Sequence, residues 1–281
     1  MINANEITFG VEFETTLPAT DATPIGAYHA GLPVAWLTEG WKVERDGSIV
    51  PRTPGRKGAE FVSPKLRGEA GLANVAATID ALNARGARVN ETCGLHITVS
   101  WNGDSAALAR LITLVANHEK AIYASTGTSR RERGNYCKPV KHYNAADRAE
   151  QALKSDRYSL LNLTHLARGA NRIEFRAFAG SLNKEKVVGY IMMVLGLVEL
   201  ALTSKTTQDW SYTKAAGKKS AWDRDNAGPG QIELNRLYYR LGWTKGHAKK
   251  AFGTMTTPEG VNLKGIKKVL TKMATKYDSH N

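Results

Sequence analysis

The sequence predicts an α+β fold in which helices cover one face of an antiparallel or mixed sheet and leave the other face open. Two features favour this fold: strands that alternate apolar and polar side chains, and amphipathic helices between them. In residues 6–15 the apolar side chains from Ile7 to Phe13 point one way, and Glu12 and Glu14 point the other. A doubly wound parallel sheet would instead have strands that are apolar on both faces.

The other elements follow the same two periodicities along the chain. Strands are predicted at 41–50 (broken at Asp46-Gly47), 58–63, 94–101, 158–164 and 171–178. Helices with one apolar face are predicted at about 68–84, 105–124 and 187–203. The last of these is short for a membrane span and contains Glu199, so we expect a buried helix and no membrane association.

The composition is that of a globular protein. Of the 281 residues, 42% are hydrophobic and 23% are charged, which excludes a mostly disordered or fibrous chain. The two cysteines, Cys93 and Cys137, exclude a disulfide framework. The first ten residues lack the basic and apolar regions of a signal peptide, so we expect a soluble cytoplasmic protein.

Positive charge is concentrated towards the C-terminus. The net charge is +13, and residues 205–281 contain 15 Lys and Arg against 6 Asp and Glu. We therefore predict a main domain at 1–204 and a basic, helical extension at 205–281. The last helix is predicted at 262–277, with an apolar face formed by Leu263, Ile266, Val269, Leu270 and Met273, and with lysines Lys264, Lys267, Lys268, Lys272 and Lys276 over much of the rest.

Two interpretations of this last helix remain open. Its apolar face docks on the main domain and leaves the lysines in water, or the lysines also bind a polyanion such as a nucleic acid.

Acidic side chains accumulate on the predicted open face, which carries Glu12, Glu14, Glu60, His96, Glu174 and Arg176. Like charges on neighbouring strands repel, so this face needs cations. Carboxylates with a single imidazole suit magnesium or manganese better than zinc. The alternative is a solvated face without function.

The common nucleotide and hydrolase motifs are absent from the sequence. There is no Walker-type phosphate loop, no dinucleotide-binding glycine motif, no zinc-protease helix and no nucleophile elbow. The run Cys93-Gly-Leu-His96 is a weak signal for a thiolate or zinc site, and Cys93 is more simply a small buried residue.

An ordered series of short motifs carries a family resemblance. The series comprises Phe9-Gly-Val-Glu-Phe-Glu14, Trp41 through Asp46-Gly-Ser48, Gly58-Ala-Glu-Phe-Val-Ser-Pro64, Cys93-Gly-Leu-His96, Ser129-Arg through Asn135-Tyr-Cys137, Leu161-Asn-Leu163 and Ile173-Glu-Phe-Arg176. In this order they resemble the amidoligase family of the glutamine synthetase and glutamate–cysteine ligase (carboxylate–amine ligase) superfamily. The resemblance covers roughly residues 6–203.

The resemblance implies a glutamine-synthetase-like catalytic fold at 1–204, whose open sheet face forms a funnel for ATP, metal ions and substrates. It also implies ATP-dependent amide formation: a carboxylate takes the γ-phosphate to give an acyl phosphate and ADP, and an amine then displaces phosphate. Magnesium, or manganese, would neutralise the phosphate charge.

The resemblance implies roles for individual residues. Glu14 and Glu60, with Asp46 as a third ligand, match one metal site, and Glu12, His96 and Glu174 match a second. Arg176 matches an arginine that holds the transferred phosphate, which suits its planar, permanently charged guanidinium. Catalysis is assigned to Glu60, Glu174 and Arg176.

Further positions match the substrate or phosphate loop of the family. Arg130 and Arg133 match nucleotide or phosphate contacts, and Asn135, Tyr136 and Asn162 match substrate contacts. The alternative for the loop is a solvated basic turn. Relatives often have a second histidine where this chain has Thr98, so its role is absent or moved.

Three functions remain open from the sequence. The first is the carboxylate–amine ligase, whose acid and amine would be free amino acids, peptides or groups on a macromolecule. The second is a metal-dependent nuclease or phosphohydrolase, because acids and a histidine on a sheet also serve two-metal hydrolysis. The third is a non-catalytic nucleic-acid-binding protein, which the +13 charge favours and the acidic face does not.

Overall fold

The structure is a computed structural model that describes residues 3–141, 143–144, 146–204, 227–244 and 257–280. Its strands are β1 (Thr8–Pro18), β2 (Leu32–Pro33), β3 (Lys42–Glu44), β4 (Arg56–Val62), β5 (Leu66–Arg67), β6 (Gly94–Ser100), β7 (Leu161–Asn162) and β8 (Arg172–Ala179). Its helices are α1 (Gly68–Ala84), α2 (Ser105–Ala124), α3 (Arg130–Arg133), α4 (Arg148–Leu153), α5 (Thr164–Ala167), α6 (Lys184–Thr203), α7 (Pro229–Arg240) and α8 (Leu263–Asp278).

All eight strands form one sheet, in the order β2-β3-β4-β1-β6-β8-β7, with β5 also paired to β1. Every pair of these strands is antiparallel. The longest strand, β1, lies at the centre between β4 and β6, so side chains from both neighbours meet over it. The predicted α+β class with an antiparallel sheet is confirmed.

The core lies between one face of the sheet and a layer of helices. Apolar side chains at odd positions, such as Phe13, Ile97 and Phe175, are buried in the same core as Leu111 of α2 and Leu195 of α6. Helix α6 is apolar enough to cross a bilayer, with a mean hydropathy of 1.8, but 78% of that stretch is buried in the fold. It is therefore a core helix, as its sequence predicted.

Capping side chains mark the N-termini of α2 and α6. Helices α1 and α2 have the predicted bounds. The carboxylate of Asp104 caps α2 by accepting a hydrogen bond of 2.7 Å from the backbone N–H of Ala107. The side chain of Asn183 caps α6 in the same way, accepting 2.9 Å from Lys186 N.

Two predicted strands are shorter than expected, and a side chain ends each of them. After β3, the carboxylate of Asp46 accepts a hydrogen bond of 2.6 Å from Ser48 N and closes a turn. After β7, the side-chain oxygen of Asn162 accepts 3.0 Å from Thr164 N, where α5 begins. Both residues thus turn the chain at the edge of the open face.

The two helices that follow residue 226 pack on the main helical layer. Helix α7 contacts α2, and α8 contacts both α6 and α7. Gly189 of α6 permits this approach, because a Cβ there would lie 2.7 Å from Ile266. The carboxylate of Asp278 caps α7 from the end of α8, accepting 2.7 Å from Gly230 N and 3.0 Å from Gln231 N. The described residues of 205–281 include two helices, whereas the predicted helical extension and its boundary at 204 stay predictions because residues 205–226 and 245–256 lie outside the described ranges.

Candidate active site

The two glutamates of β1 stand at the centre of the open face, each opposite a polar residue of a neighbouring strand. Glu14 pairs in register with Glu60 of β4, and Glu12 pairs with His96 of β6. Glu14 and Glu60 are each 5% exposed. Register between three strands therefore brings together four residues that lie up to 84 positions apart.

A further acid, Glu44 of β3, joins the face and was not predicted from the sequence. It pairs with Glu60 across β3 and β4 and is 8% exposed. Its Oε1 accepts a hydrogen bond of 3.1 Å from His29 N. Because β3 is only three residues long, its sequence showed too little alternation to assign Glu44 to a face.

Strand β8 contributes an ion pair. Arg176 Nη1 donates to Glu174 Oε1 at 2.7 Å, and both side chains are almost completely buried. Asn162 of β7 donates from Nδ2 to the other oxygen of Glu174 at 2.5 Å. Glu174 is thus held on both oxygens, and its position fixes the guanidinium of Arg176 at the edge of the cleft.

His96 is surrounded by three carboxylates. Its Nδ1 lies 3.2 Å from Glu12 and 3.6 Å from Glu174, and its Nε2 lies 3.4 Å from Glu14. Burial alone would lower the pKa of His96, but the hydrogen bond to Glu12 and the charge of Glu14 outweigh it and raise the pKa. The surrounding carboxylates therefore favour the protonated form of the imidazole.

The pKa values of two glutamates in the cluster are shifted in opposite directions. Burial would raise the pKa of Glu12, but its hydrogen bond to His96 and the charges of His96 and Arg176 lower it overall. For Glu60, burial and then the charges of Glu12 and Glu14 raise the pKa to about 9. The cluster therefore contains more negative charge than its own cations neutralise.

The donor atoms are close enough to hold metal ions. One atom each from Glu12, Glu60 and His96 lie within 4.8 Å of one another, and so do atoms from Glu14, Asp46 and Glu60. Carboxylate oxygens with one imidazole nitrogen suit a hard divalent cation such as Mg²⁺ or Mn²⁺. Both sets share Glu60, the carboxyl whose pKa is raised by the charges of the acids around it.

Of these donors, Glu12, Asp46, Glu60 and His96 line a cleft of about 290 Å³. Several residues that line the cleft were not predicted from the sequence, namely Tyr28, His29, Gly31, Lys42, Glu44 and Arg157. Most of them lie in the chain before β3 or in the segment before β7, where no periodic pattern indicated a structural role. Asp46 lies at the junction with a second cleft of about 390 Å³ lined by Ile25, Arg45 and Lys57.

The basic loop places a different arginine at the site from those predicted. Arg131 donates from Nη2 to Arg176 O at 2.6 Å and from Nε to Ala177 O at 3.3 Å. Arg130 and Arg133 are exposed and do not line the described cleft. In the four-residue helix α3, successive side chains point in different directions, which the sequence alone did not resolve.

The predicted substrate residues of this loop lie at the rim. Asn135 and Tyr136 are exposed, and neither side chain lines the cleft as the structure describes it. The backbone carbonyl of Tyr136 accepts a hydrogen bond of 3.5 Å from Arg176 Nε, and its ring packs edge-on against Tyr158 at 5.7 Å. This end of the loop therefore contacts Arg176 through its backbone, whereas Arg131 does so through its side chain.

A histidine from another element lies near the position of the missing second histidine. Thr98 is opposite Glu174 in the β6–β8 register. His165 of α5 is close enough to Glu174 and Glu12 for both charges to raise its pKa, although burial and Arg172 lower it overall. His165 is thus an imidazole beside the acidic face that sequence order did not indicate.

Both cysteines are free and buried, as expected for Cys93. Burial raises the pKa of the Cys93 thiol, and the charge of Glu14 adds to this effect. A raised pKa disfavours the thiolate, so Cys93 does not have the properties of a nucleophile.

Three comparisons relate the chain to known proteins. A family model described as "Putative amidoligase enzyme" matches residues 5–155. The chain is similar to the solved complex of prokaryotic ubiquitin-like protein Pup and its ligase PafA, with 11% identity and a TM-score of 0.40 over 98% of this chain and 64% of that chain. It is similar to GmaS solved without ligand, with 12% identity and a TM-score of 0.40 over 96% of this chain and 68% of that chain. The chain thus spans less than two thirds of the first of these structures, and no curated protein matches it.

Proposed function

Because the chain belongs to the amidoligase family, we propose that it is an ATP-dependent carboxylate–amine ligase that forms an amide bond, with the glutamine-synthetase-like catalytic fold. The observation that best supports this is the open sheet face, where Glu12, Glu14 and Glu60 meet His96 beside the guanidinium of Arg176. Phosphoryl transfer needs acids that hold cations near the phosphates and a fixed positive group at the transferred phosphoryl.

The proposal assigns two Mg²⁺ or Mn²⁺ sites to the acidic cluster. Glu14, Glu60 and Asp46 would hold one ion, and Glu12, His96 and Glu174 the other. When bound, these ions would neutralise the charge of the triphosphate. Glu60 also has a donor atom within 4.8 Å of donor atoms of Glu12 and His96, which supports a role for it in either site.

The chemical step has two parts. A carboxylate oxygen of the acid substrate attacks the γ-phosphorus of ATP, and the bond from that phosphorus to its bridging oxygen breaks to release ADP. The amine nitrogen then attacks the acyl carbon of the acyl phosphate, the bond to the phosphate oxygen breaks, and the nitrogen loses one proton.

Arg176 is suited to bind the transferred phosphoryl group. It lines the cleft, it is 8% exposed, and Glu174 holds its Nη1 at 2.7 Å. A guanidinium has further N–H donors in a planar fork that matches phosphate oxygens. The catalytic assignment of Glu60, Glu174 and Arg176 is part of the proposal.

The roles of the loop residues and of Asn162 stay predictions. Arg130 and Arg133 are proposed for nucleotide phosphates and Asn135, Tyr136 and Asn162 for substrate, which would require bound ligands to extend from the cleft to the rim. We add Arg131 to these candidates, because its guanidinium donates a hydrogen bond to the backbone carbonyl of Arg176.

The substrates are proposed by class: an acid and an amine, each a free amino acid, a peptide or a group on a macromolecule. A cytoplasmic location is proposed with them, since ATP and magnesium are available there and both cysteines are free.

A product assay tests the proposal. The purified protein with ATP and magnesium is given pooled acids and amines, and mass spectrometry detects condensed products and ADP or AMP. We expect an amide product with ADP that requires metal and both substrates, and none with Glu60→Gln. The matched control is Glu150→Gln, an exposed carboxylate on α4. Cleavage of nucleic acid with metal and without ATP would instead favour the nuclease.

A further inference from the structure

Helix α8 carries a row of exposed lysines that winds along its outer surface. Lys264, Lys268, Lys272 and Lys276 follow one another at intervals of four residues, and all four are exposed. We propose that this row is a binding surface for the phosphodiester backbone of a nucleic acid, independent of the base sequence. The surface lies outside the acidic cleft, so the proposal does not depend on the ligase activity.

The opposite face of α8 is already used by the fold. Ile266, Leu270, Ala274 and Tyr277 are buried, in a core shared with α6 and α7. The fifth lysine, Lys267, belongs to this inner side: its Nζ donates to Trp243 O at 2.9 Å and lies 5.3 Å from the ring centre of Tyr238. Within α8, the exposed residues are the four lysines of the row and Thr275.

The charge of the row is not compensated locally. Within the described part of the chain, none of the four lysines pairs with an acid, whereas Lys120 and Lys184 do. Like charges four residues apart on a helix disfavour it. A partner with closely spaced negative charges would remove this repulsion.

The geometry of the row matches a regular polyanion. A helix rises 1.5 Å per residue, so successive lysines advance by about 6 Å and the row spans about 18 Å. A nucleic acid strand carries a charge every 3.4 Å of helix axis, so charges are available along the whole row.

The neighbouring side chains favour phosphate over other acidic partners. Thr271, Thr275 and Ser279 lie beside the lysines on the same surface of α8. Lysine and hydroxyl side chains are typical phosphate-contacting residues in nucleic-acid complexes, whereas lysine and serine are depleted at protein–protein interfaces. Binding to a membrane as an inserted amphipathic helix would require a free apolar face, and Ile266, Leu270, Ala274 and Tyr277 of α8 are buried.

The buried side of α8 contacts the basic loop near the C-terminal end of the helix. The hydroxyl of Tyr277 donates to the carboxylate of Glu132 on α3, the helix that carries Arg131.

Fluorescence anisotropy with labelled single-stranded RNA, single-stranded DNA and duplex DNA tests the proposal on the full chain. The variant replaces Lys264, Lys268, Lys272 and Lys276 with Gln. The matched control removes the same charge at other exposed sites: Lys65→Gln, Arg67→Gln, Lys154→Gln and Arg168→Gln. Thermal melting shows that each variant is folded.

We expect the wild type to bind at about 50 mM salt, with an affinity that falls steeply as salt is raised. The α8 variant should bind about tenfold or more weakly, and its log–log salt slope should be shallower by about 3 to 4, because each lost phosphate contact changes the slope by roughly 0.7 to 0.9. The control should keep the wild-type slope. Three results would overturn the proposal: no binding at this salt, equal losses in both variants, or binding to polyglutamate or phosphatidylserine vesicles as tight as to nucleic acid.

Discussion

Glu14 and Glu60 face each other directly across the central strand pair, and both are 5% exposed. Opposed like charges destabilise an antiparallel pair. Here Glu12, Asp46 and Glu44 add further negative charge around Glu60. A sheet that buries this many acids on one face is at its most stable when cations occupy the face.

Replacing Glu60 with Gln should abolish stabilisation by metal. We expect Mg²⁺ or Mn²⁺ to raise the Tm of the wild type in calorimetry and to leave the Tm of Glu60→Gln nearly unchanged, because Glu60 belongs to both donor sets. In EDTA the variant should be about as stable as the wild type, because the raised pKa of Glu60 keeps this carboxyl uncharged near pH 7 when no metal is bound. Glu150→Gln is the control, and a metal response retained in Glu60→Gln would contradict the assignment.

Replacing Arg176 with Lys should lower turnover without weakening ATP binding to a comparable extent. Lysine keeps the charge but loses the fork that contacts both Glu174 and a phosphate. We expect kcat to fall by about tenfold or more with little change in the KM for ATP, because the lost contact is strongest in the transition state. Arg172→Lys, an exposed site on the same strand, should leave kcat unchanged. Wild-type turnover in Arg176→Lys would refute a phosphate role.

Replacing Gly94 with Ala should impair activity more than stability. A Cβ at Gly94 would lie 3.1 Å from Arg131 Nη2, 3.2 Å from His96 Nε2 and 3.3 Å from Glu14 Oε2, so three site residues would have to shift. We expect a loss of kcat of about tenfold, since small displacements of positioned groups are costly. Gly10→Ala is the control on the neighbouring strand, where the added Cβ meets Ser63 at an ordinary 3.4 Å. Equal activity in the two variants would show that the site tolerates the shift.

His118 should make the protein less stable in acid. Burial lowers its pKa from 6.5 to about 4, and the charges of Arg240 and Arg236 on α7 add to this effect. Because the folded-state pKa lies below the unfolded one, His118 contributes its full stability above pH 6.5 and loses it as the pH falls towards 4. A shift of this size corresponds to about 3 kcal/mol.

Urea unfolding at a series of pH values measures this contribution. The free energy of unfolding of the wild type should fall between pH 6.5 and 4 more steeply than that of His118→Gln. Replacing the exposed His280 with Gln should leave the wild-type dependence intact. Parallel curves for the wild type and His118→Gln would show that this histidine does not titrate abnormally.

Sequence periodicity alone determined the parts of the fold that depend on neighbours along the chain. The alternation around Glu12 and Glu14 identified the open face, and the apolar spacing of 68–84 and 105–124 predicted the bounds of α1 and α2 as the structure has them. These predictions succeed because side-chain direction in a strand or helix is set by local backbone geometry.

Tertiary structure decided which of the polar residues meet. Glu44 joins the cluster through pairing of a three-residue strand, and Arg131, not Arg130 or Arg133, reaches Arg176 because of the path of the loop. Likewise Lys267 turns inward on α8 because Trp243 lies there. Such placements depend on strand register and on packing between distant segments, which no local periodicity specifies.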